Sequence, residues 1–365
     1  MPSSFSYLLN HGYSLAKIAV RKAKLLSPLD LRSLAEMRSL GELVSFLDIT
    51  PYREELLKIE AGKLSANSIE QALSQYFFSN VLQIMKVSTG IVRDFLDQFL
   101  TKFEAETLKA VIRGFLIKID PEEVLSSVIP VGIFTQEVLS KITSVTSFEE
   151  FLEVIKINAR KYYHHLREFY REELLKASEI LELETAIDHF VFPILWKYVQ
   201  KLSKSERERV SILVGSEIDA QNIVTIFRCK SLGIDLKDIK RYLIPIYYNV
   251  SESLLEEVIL SESLDDAFQF LFKIHEYAPY IDASREGYAE TGSFFALEHN
   301  LKRMVLEKSI EQFKLSPLHL GTIAGYYNLV YFEIRNLRAI ALGIETGLPS
   351  DRIRELLILP LSSSP

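Results

Sequence analysis

The chain has 365 residues, 48% hydrophobic and 25% charged, with only 14 Gly and 12 Pro, a balance that excludes extended disorder and a turn-rich β protein. Its 42 basic and 49 acidic residues leave a net charge of -7, which gives no electrostatic support to general nucleic-acid binding. One cysteine, Cys229, excludes an internal disulfide, and because single cores stop growing at roughly 250–300 residues, two or three cores are expected.

Met1–Leu9 lacks the charged start and apolar run of a secretory signal, which predicts a cytoplasmic protein. A helix ahead of Leu25 carries a local basic patch, Lys17–Lys24. Ser39-Leu-Gly-Glu-Leu43 then reads as a capped helix start, with an acid placed in the first turn. Thr101-Lys-Phe-Glu104 fits the same capping pattern. Beyond Thr107 the apolar residues Leu108, Val111, Ile112 and Phe115 fall on one helical face, followed by Arg113 off that face. A short amphipathic segment, Glu122–Val128, leads into Ile129-Pro130, where proline ends the unit for want of an N–H.

The pattern then recurs. Ser147-Phe-Glu-Glu-Phe151 opens a second capped helix, and two longer helices are predicted over Glu149–Leu181 and Leu183–Leu202. Ser216-Glu-Ile-Asp219 repeats the cap pattern, and Asn222 is followed by Ile223, Ile226, Phe227 and Arg228. Leu236–Leu243 and Ile244-Pro245 close this unit. In a third round come Ser263-Leu-Asp-Asp-Ala267 and helices predicted over Asp265–Tyr277 and Phe294–Phe313. Asn336 follows, with Leu337, Ile340, Ala341 and Ile344, before Asp351–Leu357 and Leu359-Pro360. Val330 replaces the capping hydroxyl in this round, so its helix is expected to start earlier, near Ser316-Pro317 or Thr322.

Thr107, Asn222 and Asn336 thus form a column separated by 115 and 114 residues. We read an all-α chain of three helical repeats: residues 1–130 with the N-terminal helix, 131–245, and 246–365 with the tail. The most apolar stretches, Ile187–Val199 and Thr322–Ile334, are short of the roughly 20 residues a spanning helix needs and carry Asp188, Lys197 and Glu333, so no bilayer span is expected.

Catalytic signatures are missing. No Gly-rich loop ends in Lys-Ser/Thr to cradle phosphates, and neither the two-histidine metalloprotease pattern nor the Gly-x-Ser-x-Gly elbow occurs. His164-His165 are adjacent and face different sides of a helix, and Cys229 reads as a small buried hydrophobe. Asp265-Asp266-Ala-Phe-Gln269 approaches the Mg²⁺-binding acids of all-α prenyl enzymes, but an amide stands at the last ligand position and a capped helix start explains the acids. No catalytic, cofactor or metal residue is therefore assigned.

Gly12-Tyr13…Arg21…Leu25-Leu26, Leu47…Thr50…Tyr52, Glu217-Ile-Asp219…Asn222-Ile223…Arg228 and Glu333-Ile-Arg-Asn336-Leu337-Arg338, taken in order, resemble the C/d family of A/V-type rotary ATPase subunits, lettered C in archaea and bacteria and d in eukaryotes. The resemblance implies a pseudo-threefold funnel of three similar helical domains. It also implies a non-catalytic central-stalk role, coupling the rotary shaft of the ATP-handling head to the membrane proteolipid ring for proton or Na⁺ transport. The implied partners are the shaft subunits and that ring, with the chain peripheral to the membrane and a monomer when isolated. Arg113, Glu217, Asp219, Arg228, Arg335 and Arg338 are the expected lining of the pocket that meets the shaft. Val330 and Leu342 depart from the repeat in the third unit. The rival reading is an all-helical adaptor unrelated to ATPases, whose repeats of 30–50 residues would be several times shorter.

Overall fold

The computed structural model describes residues 4–169, 177–315 and 319–361, and among these every regular element is helical. The one β feature is an isolated bridge between Val131 and Phe134. The all-α class predicted from composition holds.

After α1 (Ser4–Lys22), the elements follow one order three times. The first round is α2 (Pro28–Leu34), α3 (Leu40–Leu47), α4 (Arg53–Leu56), α5 (Ala66–Val87), α6 (Gly90–Phe99), α7 (Thr101–Leu116) and α8 (Pro121–Ser127). The second is α9 (Gln136–Thr143), α10 (Phe148–Asn158), α11 (Arg160–Phe169), α12 (Ala177–Gln200), α13 (Lys204–Ser231) and α14 (Leu236–Ile239), which runs into a 3-10 turn. The third is α15 (Glu252–Leu260), α16 (Leu264–Leu271), α17 (Ala278–Thr291), α18 (Phe295–Leu315), α19 (Leu320–Glu345) and α20 (Ser350–Leu356). The first round differs in one respect: α6 and α7 meet at Leu100, whose backbone stays right-handed helical, so the pair matches the single helices α13 and α19.

The three serine caps form as their sequences dictate. Ser39, Ser147 and Ser263 each accept a hydrogen bond from the N–H three residues on, opening α3, α10 and α16. Other boundaries differ from expectation. Ser216–Asp219 is no helix start, because α13 begins at Lys204 and Ser216 is fully buried within it. The helix expected over Asp265–Tyr277 stops short, α16 ending at Leu271, and a separate helix, α17, starts beyond that range at Ala278 with Pro279 in its first turn, a favourable position for proline. Glu149–Leu181 breaks at Ala159 between α10 and α11, and its stretch 170–176 lies outside the described residues. The third column helix does start early, at Leu320, while Ser316-Pro317 lies outside the described residues.

Three hydrophobic clusters hold the helices together. One joins α2–α6 to the end of α12, the first half of α13 and α19, through Phe77, Phe95, Leu195, Val214 and Tyr326. A second, with Leu108, Phe134, Phe151 and Leu183, lies among α7–α12. The third gathers the second half of α13 with α14–α18, around Phe227, Phe268 and Met304. α7 and α13 each change cluster partway along, at Phe103–Ala105 and Ile218–Ala220, and α19 lends Leu329 and Phe332 to the third. Each long helix is therefore a shared wall, which ties the clusters into one body. α18 and α19 pack closely enough that a Cβ on Gly325 would lie 2.8 Å from the Ser309 carbonyl oxygen. Among the described residues α13 alone has the length and apolar composition to cross a membrane, and 78% of its apolar window is buried inside the protein, as in a core helix.

Candidate functional site

α7, α13 and α19 carry the column residues, and each secures the segment that follows it. The Thr107 hydroxyl donates to the Ile129 carbonyl at 2.7 Å. The Asn222 side chain both donates to the Ile244 carbonyl and accepts from the Ile244 N–H, at 3.0 and 2.8 Å. Asn336 does the same with Ile358, at 2.9 and 2.8 Å, one residue ahead of the expected Leu359. An amide satisfies both backbone groups where a hydroxyl satisfies one.

Three residues before the column, an acid forms a second repeated device. Glu104 accepts from the Tyr162 hydroxyl and the Ile133 N–H, at 2.9 and 3.1 Å. Asp219 accepts from the Tyr277 hydroxyl and the N–H groups of Tyr248 and Asn249, at 2.8, 3.1 and 2.7 Å. Glu333 accepts from the Tyr52 hydroxyl and the Leu26 N–H, both at 2.6 Å. The first two join segments near in sequence, and the third joins residues 307 apart, so the start of the chain completes the pattern that its end would otherwise leave open. Gly132, with φ +56, sits so close to Glu104 that a Cβ would collide with its carboxylate. Burial raises the Asp219 carboxyl, and pushes Glu333 up to about 7.

A cavity of about 430 Å³ opens on another face of the same helices, between α7, α13, α18 and α19. α7 contributes Lys102, Glu106, Lys109 and Arg113; α13 contributes Glu217, Gln221, Val224 and Arg228. α19 contributes Tyr331, Arg335, Arg338 and Leu342. These are the same four positions relative to the column in all three helices, spaced three and four residues apart so that each set forms one stripe. Glu70, Glu184, Glu298 and Lys302 add charge from α5, α12 and α18.

Most of that charge is shared. Lys102 pairs with Glu217, its counterpart 115 residues on. Arg113 and Arg228, another equivalent pair, both reach Glu184, and Arg228 also meets Glu298 at 2.8 Å. Lys302 takes the other oxygen of Glu298. Lys109 lies 2.6 Å from Glu106 and 2.9 Å from Asp188. Burial opposes the charge on Lys109, but Asp188 and Glu106 outweigh it and hold the ammonium protonated. For Glu106 burial likewise loses to Lys109, so its carboxyl falls to about 2, while burial wins at Asp188 and lifts it to about 6. Arg338 approaches Glu70 at 3.7 Å.

Five of the six residues expected in a shaft pocket, Arg113, Glu217, Arg228, Arg335 and Arg338, line this cavity together. Asp219 does not: it is 1% exposed and fully engaged in its latch. Two residues from Glu217 on the same helix, it points another way. Sequence reasoning missed Lys102, Glu106 and Lys109, whose spacing from Arg113 was a readable signal, and Glu70, Glu184 and Glu298, which recur 114 residues apart in step with the column, while Lys302 has no like-charged counterpart at that spacing.

The other sequence candidates lie elsewhere. Asp266 caps α16 and Asp265 pairs with Arg285 at 2.9 Å, as a helix start requires. Cys229 is buried, and burial pushes its thiol up to about 12, which keeps it protonated. His165 stacks on Phe190 with ring centroids 4.4 Å apart. Among the described residues no three metal-ligating side chains gather.

Fold and site together define an all-helical protein organised around a charged cavity between repeat-related helices. Residues 15–356 match the ATP synthase (C/AC39) subunit family, and the chain belongs to that family. It is 27% identical to the A-type ATP synthase C subunit of Methanocaldococcus jannaschii over 354 residues, 96% of this chain and 87% of the relative. The same-named protein of Pyrococcus furiosus is 28% identical, covering 95% and 90%, and that of Haloferax volcanii 26%, covering 96% and 98%. Membership decides between the two sequence readings: the chain is a component of an A/V-type ATPase, not an adaptor unrelated to ATPases.

Proposed function

We propose that this chain is a non-catalytic coupling element of the central stalk, peripheral to the membrane on the cytoplasmic side. In this reading three helical units, residues 1–130, 131–245 and 246–365, form a funnel whose cavity receives the end of the rotary shaft. The opposite partner is the membrane proteolipid ring, so torque passes between ATP turnover and proton or Na⁺ movement without chemistry in this chain. The observation that carries the reading is the repeated stripe: four equivalent positions on α7, α13 and α19 face one cavity. A socket that must not slip calls for stiff packed helices with complementary polar surface, and packed cores resist deformation.

Co-elution of the full-length chain with the shaft subunits tests this. A stoichiometric complex is expected, weakened by charge reversal at Arg113 and Arg228 together. Assembly that is indifferent to those reversals would remove the cavity from the interface.

A further inference from the structure

The cavity holds one more cation than its acids can satisfy. Glu217 is taken by Lys102, Glu106 and Asp188 by Lys109, Glu184 by Arg113 and Arg228, Glu298 by Arg228 and Lys302, and Glu70 by Arg338. Among the described residues no carboxylate lies within ion-pair distance of Arg335, which meets only Tyr331: the guanidinium sits 5.8 Å from the ring centre and 3.5 Å from the hydroxyl. Burial and, after it, the nearby Arg335 press Lys302 toward its neutral form against the pull of Glu298 and Glu106, and those two acids act on Arg335 only from beyond ion-pair distance. The protein as a whole is acidic, with a net charge of -7, which makes a local cationic excess a specific feature rather than a general one.

We propose, on the reading of this cavity as the shaft's socket, that Arg335 receives an acidic side chain of the shaft and Leu342 an apolar one. An arginine fork matches a carboxylate with two parallel hydrogen bonds, and does so best where water is scarce. Leu342 stands where α7 and α13 have arginines, lines the cavity and is 51% exposed, so the third stripe offers apolar surface where the others offer charge. The two residues are seven apart on α19, about 10 Å along its axis. The incoming element therefore carries an acid and an apolar residue at about that separation. The mixed stripe also breaks the likeness of the three walls, giving the shaft one preferred rotational seating.

Binding of the purified shaft to full-length chain, wild type against Arg335→Gln, tests the proposal. The variant should bind about ten- to a hundredfold more weakly, with a shallower salt dependence, as expected for one lost charge-assisted pair. Its thermal stability in isolation should be unchanged or higher, since an uncompensated charge has been removed. Equal affinity within twofold would overturn the acidic contact and leave the socket standing. If the wild-type chain fails to bind the shaft, the socket reading fails, and a second arm decides the anion site alone. Glutarate at fixed ionic strength should then slow phenylglyoxal modification of Arg335 relative to Arg113, and absence of that protection would overturn it.

Discussion

The latches and the cavity occupy different faces of the same three helices, and they treat charge in opposite ways. In the latches a single buried acid meets a tyrosine hydroxyl and backbone N–H groups; Asp219 and Glu333 have only these neutral donors, while Glu104 also pairs with Lys161 at 2.5 Å. Around the cavity, acids are divided between two cations or one, and Arg335 has none. A satisfied buried network fixes a structure, whereas a partly satisfied one invites a partner. On the proposed reading, the latches belong to folding and the cavity to assembly.

Mutation should separate the two. The largest effect is expected for Asp219→Ala, which strands two backbone N–H groups and the Tyr277 hydroxyl; a loss of about 3–5 kcal/mol in urea unfolding would place this latch in the core of stability. Glu333→Gln probes the latch that joins the chain's start to its end. Because burial holds the native carboxyl at about 7 against an ordinary 4.5, the folded state binds more protons than the unfolded state between those values. Stability should therefore fall by about 3 kcal/mol as pH rises from 4.5 to 7 and flatten above it, and the glutamine variant should lack that component of the slope. Arg113→Gln, on the cavity side and half exposed, should change stability by less than about 1 kcal/mol. A loss as large as that of Asp219→Ala would erase the distinction.

Sequence patterning carried the helical class, the three serine caps and the column, because each is a local signal: a period, a hydroxyl three residues before an acid, a proline. It misplaced the start of α13, since Ser216–Asp219 has the composition of a cap and only its burial shows that the helix has run a dozen residues already. Grouping Asp219 with Glu217 repeated that error in another form. Residues two apart on a helix diverge by about 200°, so one meets the cavity and the other the latch. The acids Glu184 and Glu298, which unite the cavity's arginines, and Glu70, which meets Arg338, recur 114 residues apart on α5, α12 and α18, a repeat signal outside the column helices that the column alone did not point to. Leu26 and Tyr52 meeting Glu333 across the length of the chain is a tertiary outcome that no local pattern encodes.

The central claim, that this cavity seats the shaft, is tested most directly by a single cysteine at Leu342. The native Cys229 is buried with its thiol held protonated, so a thiol at the exposed cavity position is the reactive one. In the assembled ATPase, Leu342→Cys carrying a short photo-crosslinker should join this chain to one of the shaft proteins. Crosslinks to the proteolipid ring, or none at all in an intact complex, would contradict the account.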